Sequence, residues 1–336
     1  MISRPTIRDV AKAAGVSVTT VSHALNGKGR VDPETRALVG QVVRQLGYRA
    51  NRHAQVLRSG RTGALALMLP VQADVGSNEA LSLDFYMRLA SAAAAAAFAA
   101  EQALMLLPPA VVSTGLDGLG VDGGIVVDPS PLDARVELLA SHGLPAVTIE
   151  RDLGRPDDPW YVTGQTDVST RQLLDHLRAR GAQRICLLAP QADWGWITET
   201  LRAYDEWTAG HGAPRLIVPV AMRDGEESAF AAASQLLAAA DPPDAIFVVA
   251  SRFIHGVQRA AKAAARRVPG ELLIAAGVDS VHAREGDPPV TAIDLHPERQ
   301  AEAAVEMLLA RLNGDPPAGP RYVPATLRLR ASTGAG

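Results

Sequence analysis

Val18, Thr19 and His23 carry the chemistry that reads base edges in a DNA groove. Valine and the threonine methyl suit thymine methyl groups, while the threonine hydroxyl and an imidazole nitrogen hydrogen-bond purine edges. Thr6, Ser17, Ser22, Asn26, Lys28 and Arg30 surround them with donors and charge suited to phosphate oxygens, contacts that set register rather than sequence. Charge points the same way. Residues 1–61 hold eleven basic side chains against Asp9, Asp32 and Glu34, a net +8, whereas the whole chain is −3 and the remainder therefore −11. One basic end on an otherwise acidic chain implies a polyanion at that end alone. The plainer alternative, a solvated charged face, leaves unexplained why the excess gathers here.

Two short helices joined by a turn must position these side chains. Ile7, Val10, Ala11 and Ala14 make one helical stripe, and Val16, Val21, Ala24 and Leu25 make another. Thr6 with Asp9 forms a T-x-x-D capping box, and Ser17 is a natural N-cap for the second helix. Gly15 stands where the chain turns sharply and can take a positive φ. The pattern is a helix-turn-helix, whose second helix enters the major groove; an ordinary αα-hairpin is the alternative. Asp32-Pro33-Glu34 opens a third helix, predicted to reach about Leu46 and stop at Gly47. Asn51 can cap a further short helix with Ala54 and Leu57 on one face.

The stretch TIRDVAKAAGVSVTTVSHALNGKGRVDPETRALVGQVVRQLGYRANRHAQVLRSGRT resembles the lactose- and purine-repressor family almost throughout. The resemblance implies that residues 51–58 form a hinge helix, folding when two subunits meet on DNA. It places Leu57 as a wedge in the minor groove at the operator centre, with Asn51 and Ala54 on the same element. Such a wedge costs roughly a few kcal/mol of unstacking, offset by the contacts that bent DNA allows. Without the preceding motif, Leu57 would read as an ordinary apolar helix residue. Many relatives carry arginine where this chain has His23, with histidine a variant; the alternative for His23 is a phosphate or solvent partner. A dimer making about eight ionic phosphate contacts should lose affinity with salt at a log–log slope near about −7.

The chain, at 336 residues, has room for more than this head. Beyond Gly63, apolar runs recur at 64–70, 102–108, 123–128, 145–150, 184–190, 245–250 and 272–277. They alternate with helix-like stretches at 86–100, 132–142, 167–181, 198–211, 227–240, 254–266 and 297–313. Near-continuous apolar strands alternating with helices imply parallel sheets covered on both faces, an α/β class. Spacing alone leaves one sheet or two open. The family resemblance implies two lobes like a periplasmic sugar-binding protein, with crossovers near 161–164, 291–294 and 318–323. The expected organisation is an all-α helix-turn-helix head (1–50), a hinge helix and linker (51–62), and a two-lobed periplasmic-binding-protein-like effector domain (63–336). Its first lobe is expected over about 63–162 plus 293–320, its second over 163–292 plus 321–336. Only the short, glycine-bearing stretch 108–120 separates two strands where relatives fit a full helix, so that helix is expected to be shortened or missing.

The cleft between the lobes is where the chain departs most from the family. Relatives place Arg, Asp and Asp-Asn at positions occupied here by Thr198, Arg252 and Gln165-Thr166. Phe85 and Tyr86 match the family's aromatic pair, Arg151 the arginine closing the VTIER strand, and Asp279 the acid of GVDS. Trp194 and Trp196 flank Gly195 at a strand's C-terminal end, where open α/β sheets hold ligands. The aromatics either stack on a ring or pack the lobes. Arg151 and Arg252 either clamp a carboxylate or phosphate, or pair internally with Glu150 or Asp279. The expected effector is a small molecule of unknown identity, anionic or a modified sugar.

Other chemistries find little footing. The eight histidines are scattered, and no H-E-x-x-H, Walker A or G-x-S-x-G appears. Asp175-His176 lies on an amphipathic helix as a solvated pair rather than a catalytic dyad. No enzyme activity, cofactor or metal is expected. Cys186 is the only cysteine, so disulfides and zinc fingers are excluded. The alanine run at 92–97 lacks the ~20 strongly apolar residues of a membrane span. With no signal peptide before the head and no leucine heptad after residue 333, the expectation is a cytoplasmic, nucleoid-associated homodimeric regulator, most simply a repressor, on a near-palindromic double-stranded operator. The alternatives are a constitutive family member without an effector, and a ligand-binding protein or enzyme with an incidental basic head.

Overall fold

A computed structural model of the chain describes residues 5–26, 31–48, 61–70, 84–108, 110–222 and 224–334. The chain divides into two compact units, residues 1–63 and 64–336.

The first unit holds α1 (Ile7–Ala14), α2 (Val18–Asn26) and α3 (Pro33–Leu46). Local chemistry sets each boundary. The Thr6 backbone N–H donates to the Asp9 carboxylate at 2.7 Å, and Thr6 Oγ1 accepts the Asp9 N–H at 3.4 Å, closing the capping box. The Thr6 hydroxyl, donating to the Asp9 carboxylate at 2.7 Å, and the Thr6 backbone N–H hold the Asp9 carboxyl below its ordinary range. Gly15 ends α1 at φ 64°, and the Thr20 N–H donates to Ser17 Oγ at 3.0 Å to open α2. Asp32 caps α3 through Thr35, and Gly47 closes it at φ 63°. Val10, Ala11, Ala14, Val21, Ala24, Val39 and Val42 form the core. Leu25 does not join it and stays 40% exposed. α2 buries the line through Val21 and Ala24, and Leu25, about 100° further round from Ala24, falls at its edge.

The second unit contains two parallel α/β sheets. The first is built from β1 (Ala64–Met68), β2 (Ala103–Leu107), β3 (Gly123–Val127), β4 (Ala146–Ile149), β5 (Tyr161–Thr163) and β11 (Arg321–Tyr322), in the order β11-β5-β4-β3-β1-β2. Its helices are α4 (Asp84–Ala99), the single turn α5 (Val111–Thr114), α6 (Ala134–Ser141) and α12 (Pro297–Leu312). The second sheet comprises β6 (Ile185–Pro190), β7 (Leu216–Val220), β8 (Ala245–Val248), β9 (Leu273–Ala276), β10 (Thr291–Asp294) and β12 (Thr326–Arg328), ordered β12-β10-β9-β8-β6-β7. Around it lie α7 (Thr166–Ala179), α8 (Gly195–His211), α9 (Gly225–Leu237), α10 (Ile254–Ala263) and the short α11 (Val281–Glu285). Among the described strands only β12 runs antiparallel, at an edge.

Each sheet is covered on both faces, which explains why its strands read as unbroken apolar runs. The alanine run lies in α4, whose Leu89, Ala93 and Ala97 join a core cluster with Ala301, Ala304 and Leu308 of α12. The strand β7 carries Pro219 and was not among the apolar runs; as an edge strand it tolerates a residue that cannot donate to a ladder. The chain passes between the sheets after Thr163, after Asp294 and between Tyr322 and Thr326. Thr163, Arg321 and Tyr322 therefore belong to the first sheet and Ile293 and Asp294 to the second, each one or two residues off the boundaries expected from sequence. Among its described residues, the stretch 108–120 keeps only the single turn α5. Asp175 is exposed and His176 half-buried, and each bonds to a different partner rather than forming a dyad. Asp175 accepts the Trp207 indole N–H at 2.6 Å, and the His176 ring meets the Thr333 hydroxyl at 2.9 Å. Cys186 is buried, and burial pushes its thiol up to about 12. Among the described residues, no helix is long and apolar enough to cross a membrane.

Candidate functional site

Two surfaces invite function. On the head, Val18, Thr19 and His23 are exposed on α2, over a core closed by Val21 and Ala24. The hydroxyls of Thr6 and Ser17, expected at phosphates, are engaged in the caps of α1 and α2 and remain exposed. Ser22 is partly exposed on α2. Lys28, Arg30, Asn51, Ala54 and Leu57 lie outside the described residues, as does the side chain of Asn26.

The second surface is a cleft of about 840 Å³, open mouth included, between the carboxyl ends of the two sheets. Phe85, Tyr86, Asp128 and Glu150 line it from the first lobe. Thr166, Trp194, Trp196, Thr200, Phe247 and Arg252 line it from the second. Strand ends supply the acids: Asp128 follows β3 and Glu150 follows β4 on neighbouring strands. Both are non-glycine residues in the left-handed region, at φ 46° and 68°, a strain that persists only where surrounding structure enforces it. Arg135 supplies part of that enforcement. Fully buried, it pairs with Asp133 at 2.8 Å and donates to the carbonyls of Met68 (3.1 Å) and Asp128 (3.2 Å).

The cleft's electrostatics follow from burial. Tyr86 donates its hydroxyl proton to the Asp128 carboxylate at 2.6 Å. Burial nevertheless pushes the Asp128 carboxyl up to about 6, against that bond and the nearby Arg135 charge. Burial lifts Glu150 further, to about 8, although it accepts the Gly164 N–H at 3.1 Å and the Thr163 hydroxyl at 2.8 Å. Phe85 packs edge-on to Tyr86 with centroids 5.3 Å apart, and Trp194 and Trp196 lie tilted at 6.0 Å. The Trp196 indole nitrogen is buried without a hydrogen-bond partner.

Five of the eight residues expected in the cleft line it: Phe85, Tyr86, Trp194, Trp196 and Arg252. Three do not. Thr198 is exposed, because α8 turns Trp196 and Thr200 to the cleft at i and i+4, and a residue midway between them faces outward. Arg151 donates to the Pro156 carbonyl at 3.0 Å and is absent from the lining, so the Arg151–Arg252 clamp is not assembled. Asp279 is buried and held by Arg330 at 2.8 Å. Thr166, at a position where relatives carry a cleft residue, does line it, whereas Asp128, Glu150 and Thr200 were not expected in the lining. The two acids did leave a signal, since each is the last residue of an apolar run, GGIVVD and PAVTIE.

A helix-turn-helix head joined to a two-sheet α/β body with a polar-aromatic cleft is the build of a DNA-binding regulator. Residues 6–51 match the family profile described as bacterial regulatory proteins, lacI family, and residues 174–333 match the periplasmic binding protein-like domain. The HTH-type transcriptional regulator CelR of Thermobifida fusca is 28% identical over 323 residues, spanning 93% of each chain. A solved CelR–cellobiose complex superposes with a TM-score of 0.73 at 26% identity, covering 98% of this chain and all of that one. The lac repressor dimer bound to operator and the anti-inducer ONPF shares the fold, with a TM-score of 0.78 at 23% identity and coverage of 99% and 100%. The chain belongs to the LacI family. It is a DNA-binding transcriptional regulator and not an enzyme.

Proposed function

We propose that the chain represses transcription as a homodimer on a near-palindromic operator in the cytoplasm, with a neutral saccharide in its cleft as the controlling ligand. The observation that carries the ligand class is the pairing of aromatic faces with buried acids. Trp194, Trp196, Phe85 and Tyr86 offer flat surfaces for the C–H faces of a sugar ring, while Asp128 accepts and Arg252 donates hydrogen bonds to hydroxyls. An anion fits less well, because one arm of the arginine clamp is turned away and two carboxyls share the cavity. The CelR–cellobiose complex supports the same class.

In the head, Val18, Thr19 and His23 read bases; Thr6, Ser17, Ser22, Asn26, Lys28 and Arg30 hold phosphates. Asn51, Ala54 and Leu57 form the minor-groove hinge. A second copy packs on α4, where Met87, Ser91, Ala94 and Phe98 make one exposed stripe beside the edge strand β2 with its exposed Leu106. Phe98 alone is 81% exposed. Ligand control requires different affinities of the saccharide for two arrangements of the lobes.

The test is selection of genomic fragments by the full-length protein, with and without a panel of mono- and disaccharides that includes cellobiose. A shared palindrome whose recovery changes with one sugar supports the whole reading, and His23→Ala should then weaken that site about tenfold or more. A palindrome indifferent to every sugar would leave a constitutive regulator. Diffuse, salt-labile binding would sink the operator assignment.

A further inference from the structure

The two rims of the cleft are closed by different physics. At one rim α8 of the second lobe abuts the first lobe backbone to backbone. The Gly195 N–H donates to the Pro129 carbonyl at 3.3 Å, and a β-carbon on Gly195 would sit 2.3 Å from the Arg151 carbonyl oxygen. At the other rim the contact is ionic. Arg284 of α11 reaches across to Asp84 at the start of α4, at 2.8 Å.

We propose that Asp84, Arg284 and Asp279 form a cross-cleft clasp that biases the lobes toward closure and releases without stranding a charge. Each end has a second home within its own lobe. Arg284 also lies 3.6 Å from the buried Asp279, which Arg330 anchors from behind at 2.8 Å. Asp84 also lies 3.9 Å from Arg88, one helical turn along α4, which is itself held by Glu298 at 2.7 Å. Opening the cleft therefore breaks one ion pair while leaving Arg284 on Asp279 and Asp84 on Arg88. A lone buried charge would lock the cleft shut or hold it open; a pair with a fallback on each side makes a switch. Asp279, expected to touch the ligand, acts instead as a positioning residue for Arg284.

The pair is partly exposed, so its bias is modest, about two- to fivefold in the closed-to-open ratio, and sensitive to ionic strength. The experiment reads lobe separation directly and needs no ligand, so its failure leaves the saccharide assignment to its own test. Spin labels are placed on cysteines introduced at Ala140 in α6 and Gln235 in α9, both exposed, while the buried Cys186 stays unlabelled. Labelled chains are diluted into unlabelled full-length protein and the distance distribution is measured by electron double resonance. Gly195→Ala, a steric wedge at the opposite rim, defines the open distance. Asp84→Asn and Arg284→Gln should each raise the open population about two- to fivefold, the double variant no further than the larger single, and added salt should mimic them in the unmodified protein only. Unchanged distributions in both variants beside an open Gly195→Ala would overturn the clasp, as would fully additive effects. A closed distribution in all three would mean that these lobes do not hinge, and the clasp would fall with it.

Discussion

The head and the cleft are opposite solutions to binding. The head keeps Val18, Thr19 and His23 out in solvent, over a core of seven small apolar residues drawn from α1 to α3. Its turns use glycine where a positive φ is required, at Gly15 and Gly47, and no described non-glycine residue of the head adopts one. The cleft does the reverse. It buries Asp128 and Glu150, bends both into left-handed backbone, and leaves the Trp196 indole nitrogen unpaired. A surface that meets a fixed polyanion needs charge and register, which solvated side chains supply cheaply. A cavity that must answer to one small molecule holds polar groups whose cost of burial the right ligand relieves.

Placing a charge inside the head should produce the largest effect. Val21→Asp puts an unpaired carboxylate at a fully buried position, costing about 3 kcal/mol or more. Operator binding should fall by at least about a hundredfold in a mobility-shift assay, while the melting of the effector domain, followed by calorimetry, stays where it was. Equal loss of both transitions would show that the two units do not fold separately.

The cleft should respond to pH rather than to packing. Glu150 has its carboxyl raised by burial from 4.5 to about 8, so the folded state holds its proton more tightly than the unfolded chain. The penalty for ionising it is absent below about pH 4.5, grows through the window, and is complete above about pH 8. Glu150→Gln removes that penalty. Its melting temperature should exceed that of the unmodified protein above the window by on the order of 5 °C, with the gap closing as pH falls toward its lower end. A pH-independent gap would mean the carboxyl titrates normally.

The smallest contrast separates two threonines. Thr200→Ala should weaken binding of whichever panel saccharide is recognised by about three- to tenfold, the loss of one hydrogen-bonding hydroxyl. Thr198→Ala, on the outer side of α8, should leave that affinity within about twofold. The reverse order in titration calorimetry would return Thr198 to the cleft.

Much of this protein is written in short-range pattern. The helix-turn-helix, its capping box, Gly15, Gly47 and the alternation of apolar runs with helices all follow from residues within a few positions of one another, where capping bonds and helical periodicity act. Where the pattern was weak, so was the inference: Leu216–Val220 is an edge strand interrupted by proline, and Thr198 sits two residues from a side chain that does face the ligand space. Tertiary structure decided how the cleft is assembled and which of its acids are buried. Asp128 and Glu150 become neighbours because β3 and β4 pair in register, and Arg284 reaches Asp84 across 200 residues because the chain passes three times between the sheets. Local sequence sets which conformations a segment prefers, but burial, and with it the pKa of an acid or the partner of an arginine, exists only once distant strands have closed around it.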